Sequence, residues 1–183
     1  MQFKISKELL VQIEQLIHSK SDSELEALLN DLHHADIAEI FEELEIAEAT
    51  YIFKILDSEI TAEILPELED DLREKILQGL SAKEIAEELD ELDTDDAADI
   101  IAELSQSKKE EVISELEDVE HAKDIVDLLR YDEDTAGGLM GKELVKVNEN
   151  WNVLTCVKEM RIQAEHVTRV HSIYVVDDEN RLK

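Results

Sequence analysis

A leucine recurs at every twelfth position through the centre of this chain, and this period limits the possible folds more than any other feature. The leucines are Leu32, Leu44, Leu56, Leu68, Leu80, Leu92, Leu104, Leu116 and Leu128. The ninth residue after each of the first eight is also large and apolar: Phe41, Phe53, Leu65, Leu77, Leu89, Ile101, Ile113 and Ile125. Two matched columns over eight consecutive blocks indicate one structural unit repeated in a single register.

The period excludes one long helix. Twelve residues advance an α-helix by three turns and about 120°, so the leucines would spiral around it and line no single face. Short helices separated by turns place offsets 8, 9 and 12 of each unit on one helical face. Two units then form a helical hairpin that buries its apolar face against its neighbours. We therefore predict a mainly α protein with a superhelical array of short helical hairpins over residues 21–130.

Residues that favour helix starts recur in the units. Ser6 is predicted to cap a first helix, and Pro66 falls near the end of its unit, where it would close one helix or open the next. Capping boxes are predicted at Ser21 with Glu24, Ser81 with Glu84, and Ser107 with Glu110. Further predicted starts are Asp57 or Ser58, Asp93 and Asp118.

The negative charge is confined to the helical region. The chain has 48 acidic and 18 basic residues, giving a net charge of −30. Residues 141–183 contain seven of each sign, so the first 140 residues carry the whole excess. Nucleic acids and anionic membranes are polyanions and are excluded as partners, whereas cationic partners are expected. An acidic disordered tail has a similar composition, but the sustained apolar register argues against it.

A second region begins after Arg130. Three of the four glycines lie in residues 131–141, which predicts a junction with sharp backbone bends. Beyond it we predict a short strand at Leu144–Val147, a helix capped by Asn150 or Asn152, a strand at Ser172–Val176 and a turn at 177–180. Val153, Leu154, Val157 and Met160 would share one face of that helix. The returning strand would begin at Arg181, so we expect the chain to be part of a longer protein.

Several functional classes are disfavoured. Cys156 is the only cysteine, so an intramolecular disulfide is impossible and a reducing compartment is expected. No signal peptide is apparent, and no apolar run approaches the roughly 20 residues of a membrane helix, so we expect a soluble chain that does not insert into a membrane. A phosphate-binding glycine loop and a G-x-S-x-G elbow are both absent from the sequence. We expect no enzyme.

Three aspartates are the candidate metal ligands: Asp95, Asp96 and Asp99. Asp95 and Asp99 are i and i+4 on a predicted helix, so their carboxylates share a face and repel each other, although the helix dipole offsets part of this cost. A hard divalent cation would relieve the repulsion, and Mg²⁺ accepts one or two carboxylates while keeping several waters. The same aspartates are also typical of a solvated helix start, and spacing leaves both interpretations open. An EF-hand is excluded because the loop lacks its glycine.

Two segments resemble a known family. YDEDTAGGLM at Tyr131–Met140 and IYVVDDENRLK at Ile173–Lys183 resemble the junction and first CBS (cystathionine-β-synthase) domain of MgtE-type magnesium channels. The acidic array of short helices resembles the N domain of that family. The chain departs from the family at Gly141 and Lys142, where Thr-Pro is common.

The resemblance implies a Mg²⁺ sensor on the cytoplasmic face of a membrane, in a protein whose remaining CBS sequence and pore follow Lys183. It implies an N domain at 1–130, a junction at 131–141 and an incomplete CBS domain at 142–183, within a homodimer of the full-length protein. Mg²⁺ bound by acidic residues between the N and CBS domains would favour a compact, pore-closing state. The acidic pair of the family's N domain matches Asp95 and Asp99.

An alternative function belongs to another class. The array also resembles the helical domains of flagellar motor-switch proteins, which implies an α-solenoid scaffold that binds a basic protein and has no metal role. A selective response to Mg²⁺ over matched monovalent salt would distinguish the two hypotheses.

Overall fold

The computed structural model describes residues 5–132, 135–164, 167 and 170–183. They form two compact units. The first contains residues up to Leu92 together with Ile100–Ala122, and the second contains Asp93–Asp99 together with Lys123–Lys183. Glu133 and Asp134, in the predicted junction, lie outside the described residues. The predicted domain boundaries at residues 130 and 141 stay a prediction.

Short helices dominate the described chain, which confirms the mainly α prediction. They are α1 (Lys7–Ser19), α2 (Asp22–Leu29), α3 (His34–Glu42), α4 (Ile46–Ile55), α5 (Ser58–Ile64), α6 (Asp70–Gln78), α7 (Ala82–Leu89), α8 (Thr94–Glu103), α9 (Gln106–Glu115), α10 (Val119–Leu128) and α11 (Val153–Gln163). A 3₁₀ turn at Leu65–Glu67 contains Pro66. The first residues of α2 to α9 are twelve residues apart throughout. The repeat found in the leucines is therefore the repeat of the helices.

Several predicted caps are confirmed. Ser6 accepts a hydrogen bond from the Leu9 N–H, and Asp57 accepts one from the Glu59 N–H. Asp118 accepts from the N–H groups of Glu120 and His121. Ser81 and Glu84 form both halves of a capping box.

Two predicted capping boxes are wrong. The Ser21 side chain makes no cap hydrogen bond, because its hydroxyl pairs with the Ser19 hydroxyl at 2.9 Å. Ser107 lies inside α9, whose N-cap is Ser105, accepting from the Lys108 N–H. The repeat sets the start of α9, and this outweighs the local preference for Ser107.

The ninth-position residues of the repeat contribute to the core of the first unit, and the last of them, Ile125, lies in the second unit. The ninth-position residues are buried with one exception, the half-buried Ile113. The eighth position of the units also holds buried aliphatic residues: Ile40, Ile52, Ile64, Ile76, Ile100 and Val112. Glu88 interrupts this column, and Asp124 ends it in the last unit. The column is therefore apolar in every unit except two.

Glu88 is a buried carboxylic acid. It is 8% exposed, and the fully buried Thr61 hydroxyl donates to its Oε2 at 2.5 Å. Burial raises the pKa of Glu88 to about 7, and the charges of Glu87, Asp57 and Glu91 act in the same direction, whereas the bond from Thr61 opposes them. Glu88 therefore changes its protonation state near neutral pH.

Polar contacts connect the end of one helix of the first unit to the start of the third helix after it. Glu42 Oε1 accepts from the Glu69 N–H at 3.2 Å, and Asp90 Oδ2 accepts from the Glu117 N–H at 2.9 Å. In both cases the acceptor lies 27 residues before the donor. A carboxylate at the end of one helix thus accepts from a backbone N–H at or just before the start of a later helix, which has no partner within that helix.

The second unit contains a small parallel sheet. Strands β1 (Val145–Asn148) and β2 (Ile173–Val176) pair with Val145 opposite Ile173, and α11 connects them. Both predicted strands and the predicted helix are confirmed, and Asn152 caps α11. Val145 and Val147 are buried, but Leu154 is 83% exposed and the described part of α11 buries no residue. No helix in the described chain is long and apolar enough to cross a membrane.

Candidate metal site

The candidate site lies at the start of α8, within the second unit. Asp95 and Asp96 are in the first turn of the helix, and Asp99 follows one turn later. Ala97 and Ala98 between them are buried, whereas Asp96 is exposed and Asp95 and Asp99 are half-buried. The helix therefore keeps the three carboxylates away from its buried residues. Their clustering on one helix is as predicted.

Thr94, the first residue of α8, is held by the segment that leads into β1. Its N–H donates to Glu143 Oε1 at 2.9 Å, and its hydroxyl donates to Glu143 Oε2 at 3.1 Å. The same hydroxyl accepts from the Lys142 N–H at 3.1 Å. We call this set of three hydrogen bonds the Thr94 clasp. The sequence did not identify Glu143, because its separation of 49 residues from Thr94 carries no spacing signal.

Gly141 borders the same carboxylates. A Cβ atom at Gly141 would lie 3.3 Å from Glu143 Oε2 and 3.6 and 3.7 Å from the two carboxylate oxygens of Asp95. The absence of a side chain therefore leaves a small space that both carboxylates border. Their oxygens are hard donors of the kind that Mg²⁺ binds.

The electrostatic field at the site is negative. Although Asp96 is an exposed residue, desolvation of its carboxyl raises its pKa above the usual value, and the charges of Asp95, Asp93, Asp99 and Glu143 raise it further. A cation bound beside these groups would favour their ionised forms.

The side chain of Lys142, which is next to Glu143 in sequence, is paired with α10. The Lys142 ammonium donates to Asp127 Oδ2 at 2.8 Å, and this contact lowers the pKa of Asp127. Lys142 therefore contributes its backbone N–H to the Thr94 clasp while its charge is paired with α10.

The carboxylate oxygens of α8 are of the type that binds a partly hydrated Mg²⁺ ion. No group of three or more His, Cys, Asp or Glu side chains arranged to hold a metal occurs among the described residues. The aspartates can nevertheless supply the one or two carboxylates that Mg²⁺ usually takes from a protein, with waters completing the octahedron. The assignment of Asp95, Asp96 and Asp99 as ligands stays a prediction.

Known proteins resemble the chain in both sequence and structure. The sequence profile of the MgtE intracellular N domain matches residues 32–134, more than half of the chain. The magnesium transporter MgtE of Enterococcus faecalis is 36% identical over 63 residues, which are 34% of this chain and 14% of that protein. The MgtE of Thermus thermophilus is 45% identical over 56 residues, which are 31% of this chain and 12% of that protein. These matches thus span a small part of either relative.

Two solved structures share the fold. The soluble part of a magnesium transporter superposes with a TM-score of 0.78 at 26% identity, covering 96% of this chain and 69% of that one. The cytosolic domain of the Mg²⁺ channel MgtE, solved in complex with ATP, superposes with a TM-score of 0.86 at 28% identity, covering 96% and 71%. The likeness therefore includes the sheet as well as the helical array.

Proposed function

Because the chain belongs to the MgtE intracellular N domain family, we propose that it is the Mg²⁺-sensing regulatory region of a magnesium channel or transporter. Membership confirms the resemblance found in the residues themselves. In this proposal the chain lies on the cytoplasmic side of the membrane and acts with the CBS and membrane domains of the same protein, as a homodimer. No enzymatic step is involved.

The grouping of carboxylates at the start of α8 supports the proposal most directly. Asp95 and Asp96 share the first turn, Asp99 follows, and Glu143 lies beside Asp95 across Gly141. Keeping these charges close costs free energy that a bound divalent cation offsets. In this hypothesis Asp95 and Asp99 bind the ion directly, and Asp96 contributes to the negative field or supplies a further oxygen.

Sensing follows from differential binding. A ligand shifts a conformational equilibrium only by the difference between its affinities for the two states. If Asp95 and Asp99 hold Mg²⁺ more tightly when another acidic surface of the protein approaches α8, high Mg²⁺ favours the compact, pore-closing state. Low Mg²⁺ then favours the open state, because the unscreened carboxylates repel that surface.

The experiment is a thermal unfolding series of the 183-residue chain during a Mg²⁺ titration at constant ionic strength. We expect a saturable rise in the unfolding midpoint, because a ligand that binds only the folded state stabilises it by mass action. The Asp95→Asn, Asp99→Asn double variant should lose that rise. The Glu111→Gln, Glu115→Gln double variant removes the same charge at the same spacing from exposed positions on α9 and should keep it.

Two outcomes would contradict the proposal. An equal rise in all three proteins, or an equal rise with Na⁺ at matched ionic strength, would mean that Mg²⁺ only screens an acidic surface. The scaffold hypothesis, in which the chain binds a basic protein without a metal role, would then be favoured.

A further inference from the structure

We propose that Glu143 is a positioning residue for the metal-binding carboxylates of α8 and that it acts through Thr94. The inference rests on the proposed function, because it concerns how the same aspartates are held. It assigns a role to a residue on the segment before β1, far from α8 in sequence.

The burial of Thr94 makes the contact necessary. Thr94 is 1% exposed, so its backbone N–H and its hydroxyl have almost no access to water. The N–H belongs to the first turn of α8, where no helical carbonyl is available to accept it. Glu143 satisfies both donors with its two carboxylate oxygens. An unsatisfied buried donor costs stability, so an arrangement that pairs both donors is favoured over one that leaves them without acceptors.

The contact between Glu143 and Thr94 also fixes the orientation of the first turn of α8. Two hydrogen bonds from one carboxylate to one residue, with a third from the Lys142 N–H to the Thr94 hydroxyl, define the distance and the rotation of the first turn. Asp95 is the next residue after Thr94, so the clasp sets where its side chain leaves the helix. Asp99 follows one turn further along the same helix.

Glu143 lies close enough to Asp95 for this to affect a bound ion. Both carboxylates border the space beside Gly141, at 3.3 and 3.6 Å from the position of an added Cβ atom. The Glu143 oxygens are already used by Thr94, so its role in this proposal is orientation and not ligation. Partners of this kind, which orient the ligands of a metal, typically change metal affinity about 10–100-fold when they are removed.

The test is a calorimetric titration of Mg²⁺ into the parent 183-residue chain, four single variants and one double variant. Glu143→Ala removes the clasp and the charge, whereas Glu143→Gln removes the charge but can still accept from the Thr94 N–H. Thr94→Val removes the hydroxyl and keeps the Glu143 charge, and Thr94→Ser keeps both the hydroxyl and the charge. The unfolding midpoint of each variant without Mg²⁺ shows that it folds.

We expect Glu143→Ala and Thr94→Val each to weaken Mg²⁺ binding by about tenfold or more, as is usual for outer partners of metal ligands. Glu143→Gln and Thr94→Ser should stay within about threefold of the parent, because both keep hydrogen bonds of the clasp. The Glu143→Ala, Thr94→Val double variant should bind about as well as Glu143→Ala alone, since residues of one network are not additive.

Three results would overturn the inference. Equal losses in Glu143→Gln and Glu143→Ala, with none in Thr94→Val, would mean that Glu143 acts through its charge alone. Lower unfolding midpoints with unchanged Mg²⁺ affinity would mean that the clasp is only structural. Unchanged affinity in every variant would remove the role entirely. A parent chain without saturable Mg²⁺ binding would instead reject the proposed function itself.

Discussion

Arg73 and Glu103 are joined by two hydrogen bonds across 30 residues of sequence. The Arg73 Nε donates at 3.0 Å and its Nη2 at 2.5 Å, each to a different oxygen of the Glu103 carboxylate. The same guanidinium, on a residue that is 8% exposed, also donates to the Leu68 carbonyl at 2.9 Å. One buried cation therefore connects α6, α8 and the turn between α5 and α6.

Arg73→Met is expected to destabilise the first unit by about 2 kcal/mol, because it leaves the buried Leu68 carbonyl and the partly exposed Glu103 carboxylate without their charged donor. Lys83→Met is the control: it breaks the exposed pair with Glu87 and should cost much less, because solvent screens an exposed pair. Denaturant unfolding of the two variants measures both. Similar losses would show that Arg73 carries no special stabilisation.

Glu88 should make the stability of the first unit depend on pH. Its pKa is raised from 4.5 to about 7 in the folded chain, so the folded state binds a proton that the unfolded state releases at lower pH. The free energy of unfolding should therefore fall by about 3 kcal/mol as pH rises from 4.5 through 7, and this contribution is fully present below 4.5.

Glu88→Gln should remove that slope, because the amide keeps the shape and the contact with Thr61 but does not titrate. The exposed neighbour Glu87→Gln is the matched control and should keep the slope. Urea unfolding at a series of pH values measures both. An unchanged slope in Glu88→Gln would assign the pH dependence to other carboxylates.

The start of α9 can be tested with three serines. Ser81→Ala and Ser105→Ala should each cost about 1 kcal/mol, because each removes a side-chain acceptor for a first-turn N–H. Ser107→Ala should cost almost nothing, since Ser107 lies within α9 and caps no helix. Thermal unfolding of the three variants compares them directly. A larger loss for Ser107→Ala than for Ser105→Ala would restore the cap predicted from sequence.

The sequence predicted the helical array because the signal is repeated. A single leucine column says little, but eight units in one register specify where short helices begin, and α2 to α9 follow that register. Repetition also explains why the capping box predicted at Ser107 is wrong. The twelve-residue period starts α9 at Gln106, so Ser105 is the N-cap and Ser107 lies inside the helix.

The burial of Glu88 could have been predicted from its position in the repeat. Glu88 occupies the eighth position of its unit, where six other units place isoleucine or valine. A carboxylate in an aliphatic column predicts a buried titratable group, although the Thr61 contact is not predictable from spacing.

The site was only partly predictable. The spacing of Asp95 and Asp99 places them on one face of a helix, but it gives no information on residues that approach from another segment. Glu143 reaches Thr94 only because the chain returns there after α10, and the burial of Thr94 is a tertiary property. Helical periodicity likewise placed Val153 and Leu154 on one face of α11, but it could not predict that both side chains are exposed.

Because the helix starts are evenly spaced, only insertions or deletions of certain lengths keep the packing of this region intact. A single inserted residue inside one helix turns everything after it by about 100° and brings the buried columns out of phase with their neighbours. Gain or loss of two whole units, a complete hairpin, keeps every column in phase and restores the same alternation of partners. Length variation among such arrays should therefore occur in hairpins, and indels of other sizes should be confined to the turns.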